Sequence, residues 1–285
     1  MKIDSTAIIS PEAEIAESVT VRAYCVIEGS VRIRKNTKIS PYVHIKGNTA
    51  IGEGNLIHSG CVIGEKPQML GLKEEIGKLV IGNNNVIREY VTIHTSTKED
   101  TETRIGDNNY LMAFSHIAHD CHLKSNVIMS NGSLLAGHVE VEDNVTISGN
   151  SAVHQFVRIG RLAMVGGLSR VTQDIPPFMM CIGNSKIWGI NTVGLKRAGI
   201  SSEEIRQIKK AYRILYRERL PVKKSIEKLE KINSLKTQEI VTFIRNSKRG
   251  IAGANRSTVF EKIFLNYPFL IRREIESYRT LKKTR

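Results

Sequence analysis

The sequence has no apolar run that approaches the roughly 18 residues a membrane-spanning helix requires. Its first residues, MKIDSTAIISPEAE, contain no apolar core of the kind found in secretory signals. The cysteines form no CxxC pair, which argues against a cysteine zinc site. Free cysteines without a secretory signal fit a reducing compartment, so we expect a cytoplasmic protein.

Basic and acidic residues are distributed unevenly along the 285 residues. The formal net charge is +14, yet residues 1–190 contain 18 Lys and Arg against 19 Asp and Glu. Residues 191–285 contain 24 against 9. A nearly neutral body therefore precedes a strongly basic segment, which is expected to attract nucleic acid, anionic lipid or an acidic protein.

Aliphatic residues recur at every sixth position over most of residues 9–171. This period fits neither a helix nor a plain strand, whose periods are about 3.6 and about 2. It is typical of a parallel β-helix, in which three hexads close one coil of about 18 residues. Cys25, Cys61 and Cys121 fall on a small inward position of the hexad and are predicted to pack in the core. The aliphatic register runs from Ile9 through every sixth residue to Ile63, then through Ile81, Ile87 and Ile93, and finally from Ile105 to Val171.

The register is interrupted over residues 64–80 and 94–104. We interpret both segments as loops that leave the coil, and loops on a rigid scaffold commonly carry function. The predicted domains are therefore a β-helix over 1–190 with these two inserted loops, and a basic α-helical domain over 191–285. In the second domain, Ser201 and Glu204 form a capping-box signature, and Pro221 is expected to open a helix at its first turn. The last segment is aromatic, apolar and basic. The simpler interpretation is a helix pair packed on the domain, and the more specific interpretation is a contact with a membrane surface.

The hexad period predicts which residues lie next to the stretch SHIAHDCHL, residues 115–123, in the neighbouring coils. Eighteen residues beyond His119 lies Gly137, and eighteen further lies Gln155. Successive coils should therefore bring several polar residues to one face: His116, His119, Asp120, Gly137, His138, His154 and Gln155.

Two kinds of chemistry compete for this face. A metal site needs imidazoles aimed at one point about 2 Å away, but His116 and His119 should lie on different sides of their strand. Gamma-class carbonic anhydrases use three histidines on such a solenoid, with paired ligands five residues apart, a pattern missing here.

General base catalysis needs a neutral imidazole at His119, with Asp120 to fix its tautomer. Gly137 can offer an unobstructed N–H to an oxyanion. No serine or cysteine nucleophile is predicted on this face beside the base, so direct acyl transfer to a bound acceptor is favoured over an acyl-enzyme.

Several motifs are similar to a known family: HIAHDC, LAGHV, AVHQFVRIG, MVGG, DIPPFM and GINTVGLKRAGI. From the first hexads to about Gly250, the chain resembles the UDP-N-acetylglucosamine O-acyltransferases of lipid A biosynthesis. The resemblance implies a left-handed parallel β-helix followed by a small helical domain, in a homotrimer with active sites between subunits. It implies transfer of an (R)-3-hydroxyacyl chain from acyl carrier protein to the 3-position of UDP-GlcNAc. No metal or resident cofactor is implied, because the carrier delivers the acyl-phosphopantetheine. An acidic carrier protein then accounts for the basic segment, and we expect no binding of nucleic acid.

The same resemblance implies roles for individual residues. His119 matches the general base, Asp120 its partner and Gly137 the oxyanion donor. Gly167 matches the position that limits acyl length. Substrate contacts are implied for Gln68, His116, His138, His154, Gln155, Asn191 and Arg197.

The chain also departs from the family pattern. Met69 stands where an aspartate usually holds the sugar, and Gly71 where a lysine is usual. An apolar thioether would favour an uncharged amine, so a 3-amino analogue of UDP-GlcNAc is an alternative acceptor. Related N-acyltransferases carry an additional N-terminal uridine-binding domain, for which hexads beginning at Ile9 are expected to leave no room. About 35 residues after RGIAG have no counterpart in the pattern.

Overall fold

The structure is a computed structural model that describes residues 2–72 and 77–255. The described residues up to Ala254 form one compact unit. Both interpretations of the C-terminal tail, the helix pair and the membrane-surface contact, lie outside the described residues.

Each hexad forms a short strand, and the strands stack into three sheets of a parallel β-helix. The first sheet contains β1 (Lys2–Ile3), β4 (Thr20–Val21), β7 (Lys38–Ile39), β10 (Leu56–Ile57), β13 (Val86–Ile87), β16 (Tyr110–Leu111), β19 (Ile128–Met129), β22 (Thr146–Ile147), β25 (Met164–Val165), β27 (Met179–Ile182), β28 (Lys186–Ile190) and β29 (Gly253–Ala254). The second contains β2 (Ile8–Ile9), β5 (Val26–Ile27), β8 (His44–Ile45), β11 (Val62–Glu65), β14 (Thr92–His94), β17 (His116–Ile117), β20 (Leu134–Leu135), β23 (Ala152–Val153) and β26 (Arg170–Val171). The third contains β3 (Glu14–Ile15), β6 (Arg32–Ile33), β9 (Thr49–Ile51), β12 (Lys78–Ile81), β15 (Glu102–Ile105), β18 (His122–Leu123), β21 (Glu140–Val141) and β24 (Arg158–Ile159).

The interior of the coil is formed by the predicted aliphatic register, whose side chains from Val21 to Val171 are buried. All four cysteines are buried as well. Asn55, Asn85 and Asn109 form a buried ladder along one interior corner. The Asn55 side-chain oxygen accepts from the Asn85 N–H at 2.9 Å, and the Asn85 oxygen accepts from the Asn109 N–H at 2.8 Å. The ladder satisfies backbone donors that would otherwise be buried without an acceptor.

The corners of the coil repeatedly use residues with positive φ. One corner carries asparagine (Asn36, Asn84, Asn108, Asn126 and Asn144), which tolerates this conformation well. A second corner carries exposed bulky side chains instead: Tyr24, Tyr42, Tyr90, Phe114 and Leu168. The third corner carries Asp120, His138 and Phe156. Bulky residues at positive φ cost conformational energy, and such outliers cluster at functional surfaces.

The two interruptions of the register are shorter loops than predicted. Pairing continues to Glu65, which is in register with His94, and resumes at Lys78, which is in register with Glu102. The strands on either side of the first loop therefore end at Glu65 and begin at Lys78, inside the predicted range 64–80, and the second loop is 95–101, inside the predicted range 94–104. Backbone hydrogen bonding of the flanking strands, which the hexad pattern does not report, sets these limits.

Within the described residues, four helices follow the coil: α1 (Thr192–Arg197), α2 (Ser202–Tyr216), α3 (Val222–Glu230) and α4 (Leu235–Arg245). Ser201 caps α2 with the predicted capping box to Glu204. Pro221 is the N-cap of α3 rather than its first residue. The Tyr212 hydroxyl of α2 donates to the Trp188 carbonyl of β28 at 3.1 Å. Because coil and helices belong to one compact unit, a domain boundary at residue 190 stays a prediction. Among the described helices, none combines the length and the apolar character that crossing a membrane would take.

Candidate active site

His119 and Asp120 occupy the corner between β17 and β18. His119 Nδ1 lies 2.8 Å from Asp120 Oδ2. An ionised carboxylate only accepts hydrogen bonds, so Nδ1 carries the proton and, in the neutral ring, Nε2 keeps a free lone pair. The side chains are 16 % and 8 % exposed, respectively. This pair therefore has the orientation that proton abstraction by Nε2 requires.

Asp120 is held by the second loop. The Thr97 N–H and hydroxyl donate to Oδ2 at 3.2 and 2.9 Å, and the Thr101 hydroxyl donates to Oδ1 at 3.2 Å. The Asp120 N–H in turn donates to the Thr103 hydroxyl at 2.8 Å. Burial alone would raise the pKa of Asp120, but the hydrogen bonds from His119 and Thr97 outweigh it and hold this pKa below its usual value. The carboxylate is thus kept charged.

Sequence reasoning missed these threonines. A strict 18-residue step back from Asp120 leads to Glu102, whereas the second loop lengthens the step to 24 residues, as between Thr92 and His116. The length of the inserted loop was the signal that could have led to Thr97.

Gly137 lies directly beneath the His119 ring. A Cβ built at Gly137 would be 2.6 Å from His119 Nε2, and it would also overlap Cε1. No described residue accepts a hydrogen bond from the Gly137 N–H. Glycine therefore leaves space for the imidazole and keeps a backbone donor free beside it, as the 18-residue stacking predicted.

His138, next to Gly137, completes the polar corner. Its ring stacks on Phe156 at 4.5 Å between centroids and meets the edge of His119 at 5.2 Å. Burial lowers the pKa of His138, although the charge of Asp120 opposes this. His138 is therefore neutral near pH 7, held by a phenylalanine that sequence reasoning did not identify.

His116 lies on the strand that leads to this corner. Its Nδ1 is 2.7 Å from the Thr92 hydroxyl, and its ring meets the edge of His94 at 5.2 Å. His94 Nδ1 is 2.5 Å from the Lys66 carbonyl oxygen at the start of the first loop. Burial lowers the pKa of His116 to about 4, so this histidine is also neutral. His94 was another residue that the sequence did not indicate.

The two loops face each other across a groove beside this corner. Met69, Gly71 and Leu72 of the first loop form one side, and the other is formed by residues 97–100 of the second loop. Gln68 is exposed, and the Met69 side chain is 50 % exposed. The predicted acceptor residues are thus on the loop that the resemblance indicated.

The remaining predicted site residues are more dispersed. His154 and Gln155 are exposed, one coil beyond Gly137. Gly167 lies on the corner of Phe114 and Leu168, away from that of His119. Arg197 is exposed at the end of α1.

The environment of Asn191 differs from its prediction as a substrate contact. Its side chain is buried: the oxygen accepts from the Gly194 N–H at 3.0 Å, and the nitrogen donates to the Leu162 carbonyl at 2.9 Å. In this chain Asn191 is a helix N-cap, and its substrate contact stays a prediction.

The same corner raises the question of a metal. Ligand atoms of His119, Asp120 and His138 lie within 4.8 Å of one another. Two imidazoles and one carboxylate are a donor set that Zn²⁺ accepts. However, Asp120 already accepts hydrogen bonds from His119, Thr97 and Thr101 on its two oxygens. This arrangement fits a hydrogen-bonded acid–base pair better than a set of metal ligands.

Covalent catalysis by a cysteine is disfavoured at this corner. Cys121 follows Asp120, but its thiol donates to the Ala136 carbonyl at 3.1 Å. Burial raises the pKa of Cys121 to about 12, so the reactive thiolate is not formed near neutral pH.

Comparison with known proteins identifies the family. Residues 174–252 match the family model of UDP-N-acetylglucosamine O-acyltransferase domain 2, and residues 30–65 and 102–137 match that of the bacterial transferase hexapeptide (six repeats). The acyl-[acyl-carrier-protein]–UDP-N-acetylglucosamine O-acyltransferase of Thermodesulfovibrio yellowstonii is 49 % identical over 88 % of this chain and 98 % of the relative. The chain belongs to this acyltransferase family. The enzyme of Burkholderia orbicola is 43 % identical over the same shares of the two chains.

Solved structures agree. The UDP-N-acetylglucosamine acyltransferase of Francisella novicida superimposes with a TM-score of 0.86 at 37 % identity, over 89 % of this chain and 95 % of that one. That of Bacteroides fragilis gives 0.85 at 41 % identity, over 87 % and 99 %. The predicted fold class, a left-handed parallel β-helix followed by helices, is thereby confirmed.

Proposed function

We propose that this enzyme transfers an (R)-3-hydroxyacyl chain from acyl carrier protein to the 3-position of UDP-GlcNAc, the first step of lipid A biosynthesis. The observation that carries the proposal is the His119–Asp120 pair lying over the free N–H of Gly137. The activity of the two relatives named above supports the same donor and acceptor.

The transfer proceeds in one displacement through a tetrahedral intermediate. His119 Nε2 removes the proton of the acceptor 3-hydroxyl as its oxygen attacks the thioester carbonyl carbon. Asp120 stabilises the imidazolium, and the Gly137 N–H donates to the oxyanion. The C–S bond then breaks, the ester remains on the sugar, and the imidazolium returns the proton to the departing phosphopantetheine thiol. No resident cofactor or metal takes part.

Neutral histidines surround this reaction centre. His138 presents an uncharged ring beside Asp120, with its Nε2 3.8 Å from Oδ2, and His116, on the strand that leads to the corner, is uncharged as well. We assign them, with Gln68, His154 and Gln155, to substrate positioning, and Arg197 to contact with the nucleotide or the phosphopantetheine.

A homotrimer completes the site. Gly167 lies on a different corner of the coil from His119, so a role in limiting acyl length requires the Gly167 of a neighbouring copy. The same corner exposes Tyr24, Tyr42, Tyr90 and Phe114, with stacked pairs 5.3 and 5.2 Å apart. Association of copies would bury this apolar corner and offset the cost of its bulky residues at positive φ.

The acceptor has a second candidate because of Met69. The side chain lines the groove between the loops, where it offers an apolar surface and only a weak sulfur acceptor. Such a neighbour favours the uncharged form of an amine, which is a better nucleophile than a hydroxyl. The 3-amino analogue of UDP-GlcNAc, which gives an amide, is this second candidate.

The test of the function compares His119→Ala with His122→Ala. Both histidines belong to the same short motif, but His122 is exposed and its Nε2 lies 3.1 Å from the Glu102 carbonyl oxygen. With acylated carrier and UDP-GlcNAc, loss of His119 should reduce kcat by about 10²- to 10⁴-fold, whereas loss of His122 should not. Both variants should keep their circular dichroism spectra. A His119→Ala enzyme within threefold of wild type would remove His119 from the mechanism.

A further inference from the structure

The second loop connects the acceptor groove to the His119–Asp120 pair. Within the loop, the Lys98 carbonyl accepts from the Thr101 N–H at 3.0 Å, and the Ser96 hydroxyl donates to the Thr101 carbonyl at 2.7 Å. The Thr101 hydroxyl lies 2.9 Å from the Lys98 carbonyl and 3.2 Å from Asp120 Oδ1, and it shares its single hydrogen between them. These bonds close a tight turn over residues 98–101. The loop is thus a rigid unit, and Thr97 stands at its base.

The first loop is tied to this turn at its C-terminal end. The Gly77 N–H donates to the Ser96 carbonyl at 3.1 Å. A Cβ at Gly77 would overlap the Ser96 hydroxyl and the Lys98 carbonyl. Contacts therefore run from the first loop through the second loop to Asp120, and from Asp120 to His119.

Neighbouring residues of the second loop face different partners. Thr97 directs both of its donors to Asp120 Oδ2, the oxygen that holds His119 Nδ1. Lys98 lines the groove, and none of the described carboxylates forms an ion pair with its ammonium group. One residue thus serves the acid–base pair and the next is available to a bound anionic substrate.

We propose that Thr97 is a positioning residue of the transfer, which fixes Asp120 and through it the His119 ring, while Lys98 on the same loop contacts the acceptor. This assignment rests on the function proposed above. Without the Thr97 hydroxyl, Oδ2 loses its shorter donor on the loop side, and the carboxylate can rotate away from Nδ1. Proton abstraction then becomes slower, although substrate binding is unaffected.

The experiment uses the full chain with acylated carrier and UDP-GlcNAc, and the 3-amino analogue in parallel. Thr97→Val removes the hydroxyl and keeps the N–H, whereas Thr97→Ser keeps both donors. Thr6→Val is a matched control, because the Thr6 N–H and hydroxyl also donate to one carboxylate oxygen, that of Asp4, at 3.0 and 2.7 Å in the first coil.

Thr97→Val should lower kcat by about 10- to 100-fold, as expected for a charge-assisted hydrogen bond, with both KM values within about twofold of wild type. Thr97→Ser should recover kcat to within about threefold, and Thr6→Val should behave as wild type. Lys98→Ala should show the opposite pattern, an increased KM for the nucleotide sugar with little change in kcat. Where Thr97→Val fails to fold, Thr97→Ala, which removes the same hydroxyl and leaves a smaller side chain, should still lower kcat with both KM values unchanged.

A Thr97→Val enzyme with wild-type kcat would overturn the positioning role, as would a Thr97→Ser enzyme as slow as Thr97→Val. Where Thr97→Ala is measured in place of Thr97→Val, an unchanged kcat in Thr97→Ala would also overturn the positioning role. A Lys98→Ala enzyme with wild-type KM would overturn the acceptor contact. Inactivity of the wild-type enzyme toward both nucleotide sugars would instead refute the proposed function.

Discussion

The His119 ring packs on the backbone of Gly137 so closely that a Cβ there would lie 2.6 Å from Nε2. Gly137→Ala must therefore move the imidazole that is placed to act as the base, or the corner that carries it. We expect kcat to fall by about 100-fold, comparable to loss of the general base itself. The measurement is steady-state kinetics, with a melting curve to show that the fold persists.

Gly189→Ala is the control for that substitution, because no atom of another described residue outside its chain neighbours lies within 4 Å of a Cβ built at Gly189. It should retain wild-type kinetics. A Gly137→Ala enzyme that also retains them would show that the His119 ring can shift without loss of function, and the oxyanion role of Gly137 would then lose its geometric basis.

The hexad period predicted this contact because residues above the two loops follow the 18-residue step, as in the pairing of His116 with Leu134. It failed across the second loop, where the step is 24 residues, because a strict 18-residue step back from Asp120 leads to Glu102 and not to Thr97. The substrate contact of Asn191 stays a prediction, and its N-cap role was missed for a different reason. Capping depends on where a helix begins relative to the coil, and side-chain type alone does not specify that.

Removal of metal ions should leave the activity unchanged. The hydrogen bonds of Asp120 to His119, Thr97 and Thr101 use the carboxylate that a metal would need. After exhaustive chelation, kcat should remain within about twofold of the untreated enzyme, and metal analysis should find no stoichiometric zinc. A chelator-sensitive activity that Zn²⁺ restores would instead make His119, Asp120 and His138 metal ligands.

Stability should fall as the pH decreases from about 6.5 toward 4. Burial lowers the pKa of His116 to about 4, with His94 and His119 acting in the same direction. The unfolded chain, with a histidine pKa of about 6.5, binds a proton that the native state excludes, so the stabilisation is complete above pH 6.5 and is lost as the pH falls toward the folded-state value. At pH 5 the loss is up to about 2 kcal/mol for this group.

Denaturant unfolding of wild type and His116→Gln at pH 7 and pH 5 measures this contribution at a fixed protein concentration. The variant should lose less stability than wild type between the two pH values. His122→Gln, which alters an exposed histidine of the same motif, should lose as much as wild type. Equal losses in wild type and His116→Gln would exclude His116 as the source.

Binding of the carrier should weaken with salt. Arg197, Lys209, Lys210 and Arg213 are exposed on α1 and α2, and the acidic carrier should approach this basic surface. Charge reversals there should raise the KM for acylated carrier and leave that for the nucleotide sugar largely unchanged. Lys38→Glu, at an exposed position of β7, is the control. Because the Debye length is about 8 Å at physiological ionic strength, a KM for the carrier that is flat between about 50 and 500 mM salt would contradict this prediction.

The choice of acceptor should depend on Met69. A carboxylate at this position would accept a hydrogen bond from a sugar hydroxyl, an interaction worth roughly 1.5–3 kcal/mol when charge-assisted. It would also hold a 3-amino group in its protonated, unreactive form, whereas a thioether does neither.

Met69 is half exposed on the first loop and faces the groove, so Met69→Asp can change the groove without disturbing the core. The second candidate acceptor therefore predicts that wild type prefers the 3-amino analogue of UDP-GlcNAc, and that Met69→Asp shifts kcat/KM by about tenfold or more toward UDP-GlcNAc. Leu70→Asp is the control, because it adds the same charge at the fully exposed neighbouring position, and it should leave the ratio unchanged. Wild type that prefers the 3-hydroxyl sugar tenfold, or a Met69→Asp enzyme with an unaltered ratio, would leave Met69 without a role in choosing the acceptor.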